Sequence, residues 1–199
     1  MKLLDAIAAR FKDRQIPSEL PALLAVPRGA DDPLYEVEFD FLDPDEVDPL
    51  HDTSYMSAEE LARPDIAANV AATAELSKYL VLVVRDGDGN HYGYWLGVDE
   101  PETTPVVVCW DSEGQFSVER GSLVEALIAE AARYYDHPDD VPDEVDPQEL
   151  AFARLRRAFV DAGVPVAARS LDELAKPVVN THPQELQHRL YEAEFDKRA

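Results

Sequence analysis

The sequence predicts an α+β fold: a mostly antiparallel sheet of about five to six strands, flanked by helices and followed by a helical C-terminal extension. Three observations carry that expectation. Residues 79–84 form an unbroken apolar run, Tyr-Leu-Val-Leu-Val-Val, too short for a stable helix and suited to a strand covered on both faces. Asp86-Gly-Asp-Gly-Asn90 follows, made of residues that tolerate tight turning and positive φ. Residues 91–97 then return with Tyr92, Tyr94 and Leu96 at period two, so 80–96 reads as a β-hairpin.

The same unit continues to residue 129. Residues 105–110 are a further strand, Asp111-Ser-Glu-Gly114 its turn, and 115–119 the strand that pairs back. Ser122 caps a helix whose Leu123, Leu127, Ile128 and Ala131 fall at helical spacing. Before this meander, residues 2–14 have an amphipathic helical pattern with Leu3, Leu4, Ile7, Ala8 and Phe11 on one face, ended by Pro17. Ser18 is placed to cap a short helix over 19–24. Residues 34–42 alternate, with Tyr35, Val37, Phe39 and Phe41 on one face and Glu36, Glu38 and Asp40 on the other, which predicts a half-buried strand with an acidic outer face. Residues 43–49 read as a loop. Ser57 and Glu60 have capping-box spacing, and 64–78 read as a helix with Ile66, Val70 and Ala74 inward. No internal repeat is visible.

The expected organisation is an α+β domain over 1–135, an acidic proline-containing linker over 136–147, and a helical extension over 148–199. In the extension, 148–162 is a helix with Leu150, Ala151, Leu155, Ala158 and Phe159 as its apolar stripe, stopped at Gly163. It carries the basic cluster Arg154, Arg156 and Arg157. A last helix over 182–196 is anchored by Leu186, Leu190 and Phe195. Either helix could pack on the domain or form a homodimer through 148–199.

Composition narrows the function classes. The chain has 199 residues, 46% of them hydrophobic, enough for a sizeable core, and 41 acids against 18 bases give a net charge of −23. That balance argues against holding nucleic-acid phosphates or an anionic membrane and permits a basic protein partner. No apolar run reaches the length of a membrane span, and the first ten residues read as an amphipathic helix instead of a signal peptide. With Cys109 the one cysteine, no disulfide can form within the chain, so a reducing, cytoplasmic setting is expected, and its strand position points to packing.

Motifs for catalysis or metal binding do not assemble. The 86–90 loop begins like a calcium loop, but His91 stands where the sharp-turn glycine belongs and Gly97 where the bidentate glutamate belongs. The five histidines are scattered, with no zinc-type spacing. Gly87 and Gly89 lie between strands and do not open a helix, and no Gly-x-Ser-x-Gly elbow is present. No catalytic residue, metal site or cofactor is therefore assigned. Trp95 and Trp110 are candidate binding anchors or core residues.

Residues 80–96, Pro105-Val-Val-Val-Cys-Trp-Asp111 and Ser122-Leu-Val-Glu-Ala-Leu-Ile128, in that order, resemble the SUKH superfamily, and Ile16-Pro-Ser-Glu-Leu20 is similar to the start of that family's N-terminal helix. Leu123 and Leu127 stand where an aromatic is commoner, and 136–199 lie outside the resemblance. The resemblance implies a non-catalytic domain of the immunity-protein type that binds and neutralises a polymorphic toxin, often a nuclease. An acidic inhibitor would complement a basic toxin. The contact residues expected on that reading are Glu36, Glu38, Asp40, Asp43, Asp45, Glu46 and Trp95. A metal- or small-ligand-dependent enzyme built around 86–90, and a dimerising scaffold, are the competing classes.

Overall fold

The computed structural model describes residues 3–12, 14–26, 33–43, 53–98, 105–134 and 146–198. Its centre is a five-stranded antiparallel sheet: β1 (Phe39–Phe41), β2 (Leu80–Asp86), β3 (His91–Trp95), β4 (Val106–Trp110) and β5 (Phe116–Val118), side by side in chain order. The helices are α1 (Leu3–Phe11), α2 (Glu19–Leu24), α3 (Pro33–Glu36), α4 (Ala58–Leu61), α5 (Pro64–Leu76), α6 (Leu123–Arg133), α7 (Pro147–Asp161) and α8 (Pro183–Asp196). The α+β expectation holds.

The apolar run of β2 is buried on both faces of the sheet, as its composition demands. Leu82 faces Gly93 and Val84 faces Tyr92, so Val83 is an extra residue in a β-bulge. The bulge turns Val83 and Val84 toward the same apolar cluster. Leu42 N–H donates to the Val83 carbonyl at 3.0 Å. Gly93 is required by close approach, because a Cβ there would run into the backbone of Val81 and Leu82.

The two sheet faces carry two cores. On one face Val81, Tyr94 and Val107 meet Ile7 and Phe11 of α1, Leu20 and Leu23 of α2, Leu127 and Ile128 of α6, and Phe152, Leu155 and Phe159 of α7. On the other, Leu80, Trp95, Val108, Phe116 and Val118 meet Leu76 of α5 and Leu186 of α8. Residues 147–196 thus supply one helix to each layer. The second layer is also tied by hydrogen bonds: Trp95 Nε1 donates to the Thr181 carbonyl at 3.1 Å, and Phe116 N–H donates to Gln184 Oε1 at 2.7 Å. On the first, Arg10 Nη2 donates to the Ser77 and Leu80 carbonyls at 2.7 and 3.0 Å.

Several local readings change. Residues 34–42 are not one strand. Pro33 opens a helical turn, α3, so Leu34 and Val37 are buried at helical spacing while Tyr35 is 74% exposed. Glu38 takes φ 58°, which ends the turn and leaves three residues for β1. In α5 the fully buried residues are Ala68, Ala72 and Leu76, and Ile66, Val70 and Ala74 are half-buried, because the helix packs along α8 as well as on the sheet. In α7 Phe152 is inside and Leu150 is exposed. Ser18 precedes α2 without a side-chain cap, whereas Ser57 and Ser122 form the capping boxes their spacing predicts. Most of the proposed linker lies outside the described residues. Among the described residues no helix is long and apolar enough to cross a membrane.

Candidate functional site

β1 lies at the sheet edge, where Phe39 pairs with Asp86 and Asp40 with Arg85. That register brings the acidic 33–43 segment onto the β2–β3 turn. The last turn of α6 crosses the same corner. Together they bound a cleft of 420 Å³ lined by Val37, Glu38, Phe39, Asp86, Gly87, Asp88, Glu130, Ala131 and Tyr134. Four of these nine carry carboxylates, and none of them is Lys or Arg. Val37 and Phe39 are buried, and Tyr134 stands 75% exposed at the mouth. The cleft therefore has an apolar floor, an acidic wall and an aromatic rim. It also adjoins the C-terminal end of α6, where carbonyl dipoles add negative potential.

The four carboxylates are not equivalent. Asp86 is held by its own turn: one oxygen accepts from the N–H groups of Asp88 and Asn90 at 3.0 and 2.8 Å, and the other from Asn90 Nδ2 at 2.7 Å. Gly89 closes this turn at φ 86°. The β4–β5 turn repeats the device, with Asp111 Oδ1 accepting from Glu113 and Gln115 N–H at 3.0 and 2.8 Å and Gly114 at φ 83°. Asn90 Oδ1 accepts from Ser112 N–H at 3.1 Å and joins the two turns. What resembles a calcium loop is thus a hairpin turn whose carboxylate faces its own amides. Among the described residues no group of three or more His, Cys, Asp or Glu side chains is placed to hold a metal ion.

Glu130 differs. Burial pushes its carboxyl above the ordinary value, Arg133 offsets part of that from 2.6 Å, and Glu119 and Asp86 add to the rise. Asp88 and Glu38 are exposed and point charges into solvent at the cleft edge. The corner thus gathers four carboxylates, with burial and acidic neighbours raising the carboxyl of Glu130.

The expected contact residues fare unevenly. Glu38 lines the cleft. Asp40 and Asp43 are exposed on and just after β1, outside the lining. Glu36 ends α3, and its side chain, like the whole of Asp45 and Glu46, lies outside the described residues. Trp95 is corrected: it is 2% exposed, packed on Tyr79 with ring centroids 6.1 Å apart, and so is core and not a surface anchor. Trp110 is half-buried between His91 and Phe116. Sequence reasoning missed Glu130 and Tyr134. Both lie at the end of α6, but their meeting with Glu38 depends on the β1–β2 register, which no local pattern reveals.

The buried nucleophile candidates are quiet. Burial pushes the Cys109 thiol up to about 12, partly offset by a hydrogen bond with Tyr92, and burial also raises the Tyr92 phenol. Both side chains belong to the larger core. No protein-family model matches the chain, and neither a curated protein nor a solved structure matches it.

Proposed function

We propose that the chain is a non-catalytic acidic binding protein that neutralises a basic protein partner, of the immunity type implied by its resemblance to SUKH domains. The observation that carries the reading is the cleft at the β1–α6 corner, where Glu38, Asp86, Asp88 and Glu130 surround an apolar floor. A partner's arginine or lysine fits such a place: its methylenes cover Val37 and Phe39, its charge meets the carboxylates, and Tyr134 offers a π face. The net charge of −23 would speed encounter with a basic surface and make it salt-dependent. A nuclease toxin is one basic partner of that chemistry.

The test is capture from the source cell lysate at low salt, with the wild type beside a Glu38→Lys/Asp88→Lys variant shown to be folded. Expected is a basic partner held by the wild type and released by the variant, whose toxic activity the wild type suppresses and the variant does not. Equal suppression by both proteins would remove the cleft from the account. A captured partner whose activity is unaffected by the wild type would remove the inhibitory reading.

A further inference from the structure

We propose that a second cleft, on the other side of α6, binds a small organic anion: an apolar body carrying a terminal phosphate or carboxylate. This cleft measures 560 Å³ and lies between the end of β5, α6, the start of α7 and the 171–176 segment. That volume falls within the range of about 300–1,000 Å³ typical of small-ligand sites. It is far larger than one inorganic anion needs.

Its floor is apolar. Ala126 and Leu174 are buried there, at 5% and 3% exposure, beside half-buried Ala129 and Leu171. Its rim carries Arg120, Arg133 and Lys176. Arg133 is committed to Glu130 at 2.6 Å. Arg120 and Lys176 form no ion pair with a described residue. Both stand exposed at the mouth of the hollow. The two acids in the lining do not fill the role. Glu119 accepts the Ser117 hydroxyl at 2.5 Å, and Asp172 forms an ion pair with neither cation.

The arrangement recognises one chemistry. A guanidinium presents a planar fork to two oxygens of a phosphate or carboxylate, and an ammonium adds a point charge. The apolar floor rewards a hydrocarbon or ring attached to that group. The protein's overall negative charge does not forbid this, because distant charges are screened over about 8 Å at physiological salt while the two cations act at contact. α6 thus separates two clefts of opposite preference, with Glu130 and Tyr134 toward one and Ala126 and Ala129 toward the other.

The probe is phenyl phosphate, titrated into the full chain and followed by backbone-amide NMR, with inorganic phosphate and phenol as separate arms. Expected are saturable shifts confined to residues 117–120, 126–133 and 171–176. Phenyl phosphate should bind about tenfold or more tightly than inorganic phosphate, through the burial of its ring. An Arg120→Ala/Lys176→Ala variant with an unchanged melting midpoint should bind about tenfold or more weakly. Arg120→Gln alone, which keeps the side chain's polarity and bulk, should lose a smaller part of that affinity and serves if the double variant melts early. The absence of saturable shifts, equal affinity for phenol, or affinity unchanged in the folded variants would overturn the proposal. Binding equal for inorganic and phenyl phosphate would reduce the site to a surface ion contact and overturn it as well.

Discussion

Glu125 and Glu130 sit on the same helix, little more than a turn apart, and the protein treats them oppositely. Glu125 is 1% exposed, yet its oxygens are fully engaged: Ser122 N–H donates at 2.8 Å and Arg169 Nε at 2.6 Å. Burial pushes its carboxyl up, but Arg169 and Ser122 more than offset that, and the net shift is downward. Glu130 has one exposed arginine beside it and faces three other carboxylates across a cleft, and its net shift is upward. The difference separates two uses of an acid. A carboxylate whose partners are built into the fold holds structure together. One left short of positive charge is stabilised by whatever cation arrives.

The largest expected effect breaks the first half of that contrast. Glu125→Ala removes the capping-box partner of Ser122 and leaves the Arg169 guanidinium without its acceptor, and should cost about 3 kcal/mol, read as a lower urea midpoint with unchanged slope. An unchanged midpoint would mean that the 164–174 segment does not depend on this tie. Next comes Asp86→Ala, which strips three hydrogen bonds from the β2–β3 turn and should cost about 1–2 kcal/mol. If added calcium stabilised the wild type strongly and the variant not at all, the loop would be a cation site and the turn account would fail.

Glu130→Gln should act in the other direction. Its raised carboxyl destabilises the folded state once ionised, so the variant should gain up to about 1 kcal/mol at neutral pH. The sign also sets the pH profiles. Glu130's raised value contributes stability fully present below its unfolded value and lost as pH rises through the folded one. Glu125's depressed value contributes stability present above its unfolded value and lost as pH falls through the folded one. Thermal melts across the acid range should therefore show the Glu130→Gln gain vanish in acid, where Glu125→Gln also converges on the wild type. The smallest effect is Asp88→Lys, an exposed turn residue, expected within about 0.5 kcal/mol of wild type in stability while weakening any bound basic partner.

Much of the scaffold was legible because local chemistry decided it. The all-apolar 79–84 run, the two Asp-x-x-Gly turns and the Ser122 capping box each specify their structure within a few residues. In 34–42, Tyr-Glu-Val-Glu-Phe-Asp-Phe satisfies period two and so predicts a strand, while Pro33 and the left-handed Glu38 turn its first half into a helical turn. Strand alternation does not say whether the face carrying Trp95 is covered, and α5 and α8 cover it. The cleft was half visible. Glu38 and the 86–90 loop each stand out in the sequence, for different roles. Only the antiparallel register of β1 on β2 and the reach of α6 bring them together with Glu130.

As proposed, the β1–α6 cleft receives a cationic side chain from a partner. The most direct measurement is the titration of the Glu130 carboxyl carbon by NMR, with and without a short arginine-rich peptide, using Glu125 as the internal reference. Expected is a Glu130 value raised from the ordinary one without peptide and lowered when peptide is present, with Glu125 below the ordinary value throughout. A Glu130 that titrates identically in both samples while the peptide is bound elsewhere would contradict it.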